Sequence, residues 1–416
     1  MNEKVKLNLF LSHKYLKPDI LQKVYLMLQI VQPKVKLEQS RMPLNLSFVL
    51  DRSGSMSGDK LSFTKKAVVF ALNHLDSEDT VSIVTFDDEV NTLVSPQKAV
   101  HKDQMALMVK SIRPGGSTNL SGGLFKGAGL VRDNYRKEQV KRVLLLTDGL
   151  ANVGVTEPEK IVAKVKGLAE NNVSVSTLGV GDDFQEDLLV DIAEAGKGSF
   201  YYIASPDNLP EIFRQELQGL LSITGQNLEL GIRPAQGVEV LRILGYEPQW
   251  GDEVKISLPD IYSGETKTVL VELGVKGGSI GKQNLGTVRF KYDDVLDGLA
   301  SVDFEINMNI EVSDEESLLE STLDLKVIQE VEIFETAQIK EEAISRADSG
   351  DFQGARDLLE SQKEKLNGIY SLTKDPEVLK EISELELNYQ LMAKESYTSN
   401  LRKSMKQSNY NTRRKR

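Results

Sequence analysis

The sequence predicts an α/β domain with a doubly wound, mostly parallel sheet over residues 41–222. That domain is inserted in an antiparallel β-sandwich and is followed by an α-helical region. Three observations carry this reading. Continuous apolar runs of strand length alternate with amphipathic segments from Pro43 to about residue 220. Beyond Leu221 the pattern changes to short alternating strands separated by Gly, Pro and Asp turns. From about Ser313 the chain becomes charged, with helical periodicity.

The first forty residues hold two strand-like segments, "KVKLNLFLS" and "QKVYLMLQIV". Isolated strands leave backbone groups unpaired, so residues 1–40 are expected to join a later sheet. In 41–222 the runs "LNLSFVL", "TVSIVTF", "KRVLLLT" and "NVSVSTLGV" suit parallel strands buried on both faces. Between and after them, helices are predicted over 60–75, 102–112, 121–134, 158–171, 185–195 and 208–221, two with Pro158 and Pro210 near a first turn. Residues 223–312 supply "QNLELGIRP", "GVEVLRIL", "EVKISLP", "TKTVLVELGV", "GTVRFKYDD" and "ASVDFEINMNIEV", the pattern of an antiparallel sandwich. The single Trp250 in this region is expected to cover a sheet end.

Residues 313–400 form the helical region. The small residues Ala343, Gly350 and Ala355 interlock with Phe352 and Leu359 as in half of a tetratricopeptide hairpin. No second copy follows at the expected period, so a plain helical hairpin is favoured over a peptide-binding array. Residues 401–416 contain seven basic residues and no acidic one, ending "NTRRKR". The expectation is a solvated, disordered basic tail, with docking to an acidic partner or nucleic acid as the sharper reading.

Composition narrows the function. With 416 residues, 40% hydrophobic and 27% charged, the chain reads as a soluble protein of two or three domains. No run of about 18 apolar residues suggests a transmembrane helix, and the N-terminus lacks the pattern of a secretory signal. The absence of cysteine excludes disulfides, zinc–thiolate sites, iron–sulfur clusters and cysteine nucleophiles. A cytoplasmic location is expected. A net charge of −11 argues against general nucleic-acid binding by the body of the chain.

Three separated segments carry the chemistry: "DRSGS" from Asp51, "GGSTNL" from Gly115, and "LLLTDGLAN" from Leu144. Each follows a strand or opens a helix. Ligands of doubly wound sheets collect beyond the carboxyl ends of the strands. Asp51 and Asp148 each end a central strand, so they should meet at that edge. Together with Ser53, Ser55 and Thr118 they form a set of hard oxygen donors. Two carboxylates with hydroxyls and water suit an octahedral divalent ion such as Mg²⁺ or Mn²⁺. Gly54, Gly115, Gly116 and Gly149 are expected to let the backbone turn tightly near the ion.

These residues resemble the metal-ion-dependent adhesion site (MIDAS) of von Willebrand factor type A (VWA) proteins. That motif is Asp-x-Ser-x-Ser, a distant Thr and a distant Asp, and all five positions are filled. The flanking regions look like the intracellular bacterial type. The resemblance implies a metal held by Asp51, Ser53, Ser55, Thr118 and Asp148, with Mg²⁺ (or Mn²⁺ or Ca²⁺) as the cofactor. It also implies an open coordination position that captures an Asp or Glu carboxylate of a partner protein. The leading functional expectation is therefore a non-enzymatic, metal-dependent protein-binding adaptor or scaffold with no membrane association. The alternatives are an accessory subunit of an AAA+ ATPase of the MoxR or magnesium-chelatase type, and a metal-dependent hydrolase. The hydrolase lacks a base, because no histidine neighbours the motif segments.

Other motifs are weaker. His13, His74 and His101 show no metalloprotease spacing. "GGLFKGAG" lacks the phosphate-loop and dinucleotide patterns. Asp87 and Asp88 in "FDDEV" could offer a further ion site, but a solvated turn is the favoured reading.

Overall fold

The computed structural model describes residues 4–35, 42–134, 139–148, 151–181, 184–203, 209–393 and 396–414. The chain divides into two compact units: one comprises Met1–Val35, Thr224–Asp294 and Ala300–Arg416, the other Lys36–Ile223 and Val295–Leu299.

The chain opens with β1 (Lys6–Leu11), β2 (Tyr15–Leu16) and β3 (Leu21–Val31). It then enters the second unit through β4 (Leu44–Asp51), α1 (Asp59–His74), β5 (Thr80–Phe86), β6 (Val90–Lys98), α2 (Lys102–Ser111) and α3 (Leu120–Asp133). The unit continues with β7 (Val140–Thr147), α4 (Pro158–Glu170), β8 (Ser174–Val180), α5 (Glu186–Ala195), β9 (Lys197–Ile203) and α6 (Leu209–Leu221).

The sheet of this unit has the order β6-β5-β4-β7-β8-β9, parallel except for β6, which runs antiparallel to β5. Every residue of β4, β5 and β8 is buried, which is why their sequences read as unbroken apolar runs. Two strands escaped the sequence reading. Edge strand β6 is mostly half-buried and contains Pro96, and β9 is short and begins with Lys197. The glycine-rich segment of α3 serves packing. A Cβ at Gly123 would stand 2.4 Å from the Phe86 ring, and one at Gly127 would stand 2.3 Å from Val49 Cγ2. Neither distance admits a side chain, so the helix lies tightly on the sheet.

The first unit resumes with β10 (Ile223–Pro234), β11 (Val238–Ile243), β12 (Val254–Ser257), β13 (Ile261–Tyr262), β14 (Thr266–Lys276), β15 (Gly281–Asp294) and β16 (Ala300–Val312). One sheet has the order β1-β3-β14-β11, the other β12-β10-β15-β16-β2, with β13 paired to β10. The N-terminal β3 pairs with β14 from Thr266↔Val31 to Lys276↔Leu21. One departure from an antiparallel arrangement is the short β2, which pairs parallel to β16. The two sheets share an apolar core containing Val24, Leu26, Leu28, Leu230, Val271 and Phe290.

Five helices follow: α7 (Glu316–Glu320), α8 (Leu325–Asp348), α9 (Phe352–Thr373), α10 (Pro376–Leu391) and α11 (Ser399–Arg414). Helix α8 covers the outer face of the first sheet, where Met27 and Leu270 meet Val327, Val331 and Phe334. Strand β3 is therefore apolar on both faces.

The expected disordered tail over 401–416 is a helix as far as Arg414; Lys415 and Arg416 lie outside the described residues. Met405 and Tyr410 are buried, and Met405 joins the core of the helical layer. The basic residues find partners on α8: Arg402 donates to Asp348 at 2.8 Å, and Lys406 pairs with Glu341. Trp250 is 61% exposed and covers no sheet end.

Candidate metal centre

Strands β4 and β7 lie side by side in parallel, so the residues that close them are neighbours. Asp51 and Asp148 are both fully buried. The Thr147 hydroxyl donates to Asp51 Oδ2 at 2.5 Å, and the Ser53 amide donates to Asp51 Oδ1 at 2.8 Å. Ser53 Oγ lies 3.1 Å from Ser55 Oγ, whose hydroxyl donates to Asp148 Oδ1 at 2.8 Å. The ammonium of Lys60, in the first turn of α1, reaches Asp148 Oδ2 at 2.7 Å. Four of the five expected residues thus form one continuous hydrogen-bonded chain.

Thr118 is placed by its backbone. Its amide donates to Asn152 Oδ1 at 2.8 Å, and its carbonyl accepts from the amides of Asn152 and Val153 at 3.1 and 3.2 Å. The same loop is tied to the first segment, where Gly54 N donates to the Gly116 carbonyl at 2.8 Å and Gly115 N to the Arg52 carbonyl at 2.6 Å. Each of the three segments is therefore bonded to both of the others. Gly149 lies outside the described residues.

Asp87 is an organising residue that the sequence reading placed in a solvated turn. It is 4% exposed, pairs with the Arg52 guanidinium at 2.9 Å, and accepts from Gly116 N at 3.2 Å and Glu89 N at 3.0 Å. A Cβ at Gly115 would fall 1.7 Å from Asp87 Oδ2, so the glycine there makes room for this carboxylate. Thr147, Lys60 and Asn152 were also missed. Their partners lie far away in sequence: Asp51 for Thr147, Asp148 for Lys60 and Thr118 for Asn152.

Electrostatics favour a cation at this edge. Burial, with a smaller contribution from the Asp148 charge, pushes the Asp51 carboxyl up to about 6 against the hydrogen bonds from Thr147 and Ser53. Among the described residues no three His, Cys, Asp or Glu side chains converge, so a metal here would rely on hydroxyls beside the two carboxylates. That donor set, oxygen only and under-compensated in charge, fits a hard divalent ion.

Residues 45–215 match the family profile of the von Willebrand factor type A domain. This unit is a VWA domain. The chain is 25% identical over 349 residues to the uncharacterized protein sll0103 of Synechocystis sp., covering 80% of each. It is 29% identical over 261 residues to the uncharacterized protein YfbK of Escherichia coli, covering 61% of this chain but only 45% of that one. A solved von Willebrand factor type A structure from Catenulispora acidiphila superposes with a TM-score of 0.70 at 18% identity, covering 89% of this chain and 91% of that one. At that identity the likeness speaks for the fold alone. The VWA domain accounts for the parallel sheet and for its three loops at one edge. Among the described residues no helix is long and apolar enough to cross a membrane.

Proposed function

We propose that this VWA domain is a non-enzymatic binding module in which a divalent cation, held by Asp51, Ser53, Ser55, Thr118 and Asp148, takes a carboxylate of a partner protein. The observation that supports the reading is the mutual hydrogen bonding of the three loops, which links Asp51, Ser53, Ser55 and Asp148 and ties the backbone of the Thr118 loop to both other segments. Bound there, a divalent ion supplies a Lewis-acidic position for an incoming carboxylate. The chain's own residues do the rest. Asp51 and Asp148 provide negative charge, the neutral hydroxyls leave part of the ion's charge uncompensated, and burial limits competition from water. The three histidines stand at Ser12, at the end of α1 and before α2, which supports binding over hydrolysis.

The test is calorimetry with Mg²⁺ and Mn²⁺ on the wild type and on Asp51→Ala, followed by partner capture with and without chelator. Asp51→Ala should abolish ion binding with a nearly unchanged circular dichroism spectrum, and partners should be retained only by the metal-loaded wild type. Unaltered ion binding in the variant, or equal capture in chelator, would overturn the proposal.

A further inference from the structure

Helix α1 and the carboxyl end of α2 border an open groove of about 630 Å³ whose apolar lining includes Leu61, Val69, Phe70 and Ile112. Lys65, Lys66, Lys110 and Arg113 line it, and no acidic side chain does. Among the described residues none of these four cations forms an ion pair with a carboxylate. In a chain of net charge −11, four cations without counter-charges beside one apolar lining are out of balance.

Lys65 is half-buried and donates to the carbonyls of Lys110 at 3.3 Å and Ile112 at 2.6 Å, closing the carboxyl end of α2. Its ammonium is held below the usual lysine range by burial and by the Arg113 charge beside it. Lys66, Lys110 and Arg113 are exposed. Next to them α2 presents Leu107 and Met108 to solvent, 66% and 39% exposed. Helix α2 thus carries apolar surface and positive charge that nothing in the VWA domain covers.

We infer that this groove binds an acidic, amphipathic peptide segment of a partner protein, with apolar side chains on the apolar lining and carboxylates against Lys66, Lys110 and Arg113. Charge complementarity selects the occupant. Cations without carboxylate partners beside an apolar lining match a segment carrying both carboxylates and aliphatic or aromatic side chains. A nucleic acid would leave Leu61, Val69 and Ile112 without apolar partners and would meet the repulsion of the acidic body. A second copy of this chain brings the same positive surface. The groove is built from the residues that flank two metal-site loops, Gly58 after Ser55 and Pro114 before Gly115. It does not require the ion, so it is a second contact beyond the carboxylate capture proposed above.

The test selects a displayed library of random dodecapeptides on the full chain in excess EDTA, which removes any metal-held carboxylate. Selected sequences should be enriched in Asp and Glu together with Leu, Ile or Phe. The triple charge reversal Lys66→Glu, Lys110→Glu, Arg113→Glu should weaken their binding by about tenfold or more, as expected for three lost ion pairs. All three side chains are exposed, so the circular dichroism spectrum should not change. Val69→Asn, which keeps the charges, should weaken the same peptides by roughly threefold through lost apolar contact. The inference is overturned if no peptide is selected, if the selected peptides lack acidic enrichment, or if they bind the triple variant as well as the wild type. Displacement of the peptides by a random single-stranded oligonucleotide at lower concentration than by free peptide would reassign the groove to nucleic acid.

Discussion

In the helical layer Lys340 sits between two carboxylates and pairs with both, whereas at the sheet edge of the VWA domain the Lys60 ammonium pairs with Asp148, and Asp51 is held by neutral donors. Lys340 is 1% exposed and donates to Glu381 at 2.8 Å and to Glu384 at 3.0 Å, the latter partly exposed. Each carboxylate there touches the same cation, and water reaches Glu384. At the sheet edge Lys60 pairs with Asp148, while Asp51 depends on one amide and one hydroxyl. The first cluster is complete as it stands. In the second, burial without a cation beside it pushes the Asp51 carboxyl up to about 6, with the neighbouring Asp148 charge a smaller cause. Buried charge alone does not mark a functional site; its imbalance does.

The largest expected effect lies in the balanced cluster. Lys340→Met removes the only cation that Glu381 and Glu384 share and leaves the buried Glu381 without compensation. Such a loss is expected to destabilise the helical layer by about 3–5 kcal/mol. Urea unfolding followed by helical circular dichroism measures it, and Mg²⁺ affinity of the VWA domain should not change. A loss under about 1 kcal/mol would mean that the pair behaves as a surface contact, and the comparison would lose one side.

Much of this contrast was legible before any coordinates, for different reasons in each part. Parallel strands buried on both faces write themselves as apolar runs, so β4, β5, β7 and β8 stood out. Edge strand β6, with alternating exposure and Pro96, did not. The hydrogen-bonded set Asp51, Ser53, Ser55 and Asp148 was legible because these residues stand at or just beyond the ends of β4 and β7. Asp87, Asn152 and Lys60 were not, because their roles depend on contacts 34 to 88 residues away. The basic C-terminal segment misled for a related reason. Two of its charges, Arg402 and Lys406, pair with Asp348 and Glu341 on a helix more than fifty residues earlier, so local composition read as solvated what tertiary contact has paired.

A smaller effect sharpens the other side of the comparison. The Lys60 ammonium, 25% exposed, holds Asp148 Oδ2 at 2.7 Å and would repel an arriving divalent ion. Lys60→Met should therefore do two opposite things. In chelator the domain should lose about 1 kcal/mol, because Asp148 loses its cation. In titrations the Mg²⁺ affinity should rise by about fivefold, because the ion no longer competes with an ammonium. Calorimetry and thermal unfolding on the same samples read both. A fall in ion affinity would show that Lys60 instead orients Asp148 as a ligand.

The smallest effect on the ion itself is expected at Thr118, and it is the most informative about purpose. Thr118 is neutral, 3% exposed, and sits on a loop clamped through its backbone by Asn152. Thr118→Ala keeps that clamp, because the amide and carbonyl that make it are untouched. It removes one hydroxyl donor and leaves both carboxylates, so Mg²⁺ affinity should fall by less than about 1 kcal/mol. If the ion serves to capture a carboxylate, affinity for a captured partner should fall further, by about 1–3 kcal/mol, as for a hydrogen bond or ligand lost at a charged group. The unequal response arises because a neutral ligand sets how much charge and which position the ion offers outward, while the carboxylates set whether it stays. Measuring partner affinity for wild type and Thr118→Ala, each with Mg²⁺ and with chelator, separates the cases. Equal affinity in all four samples would make the ion a structural brace for the three loops and move partner recognition away from the sheet edge, with the cationic groove of α1 and α2 as the surface to test next.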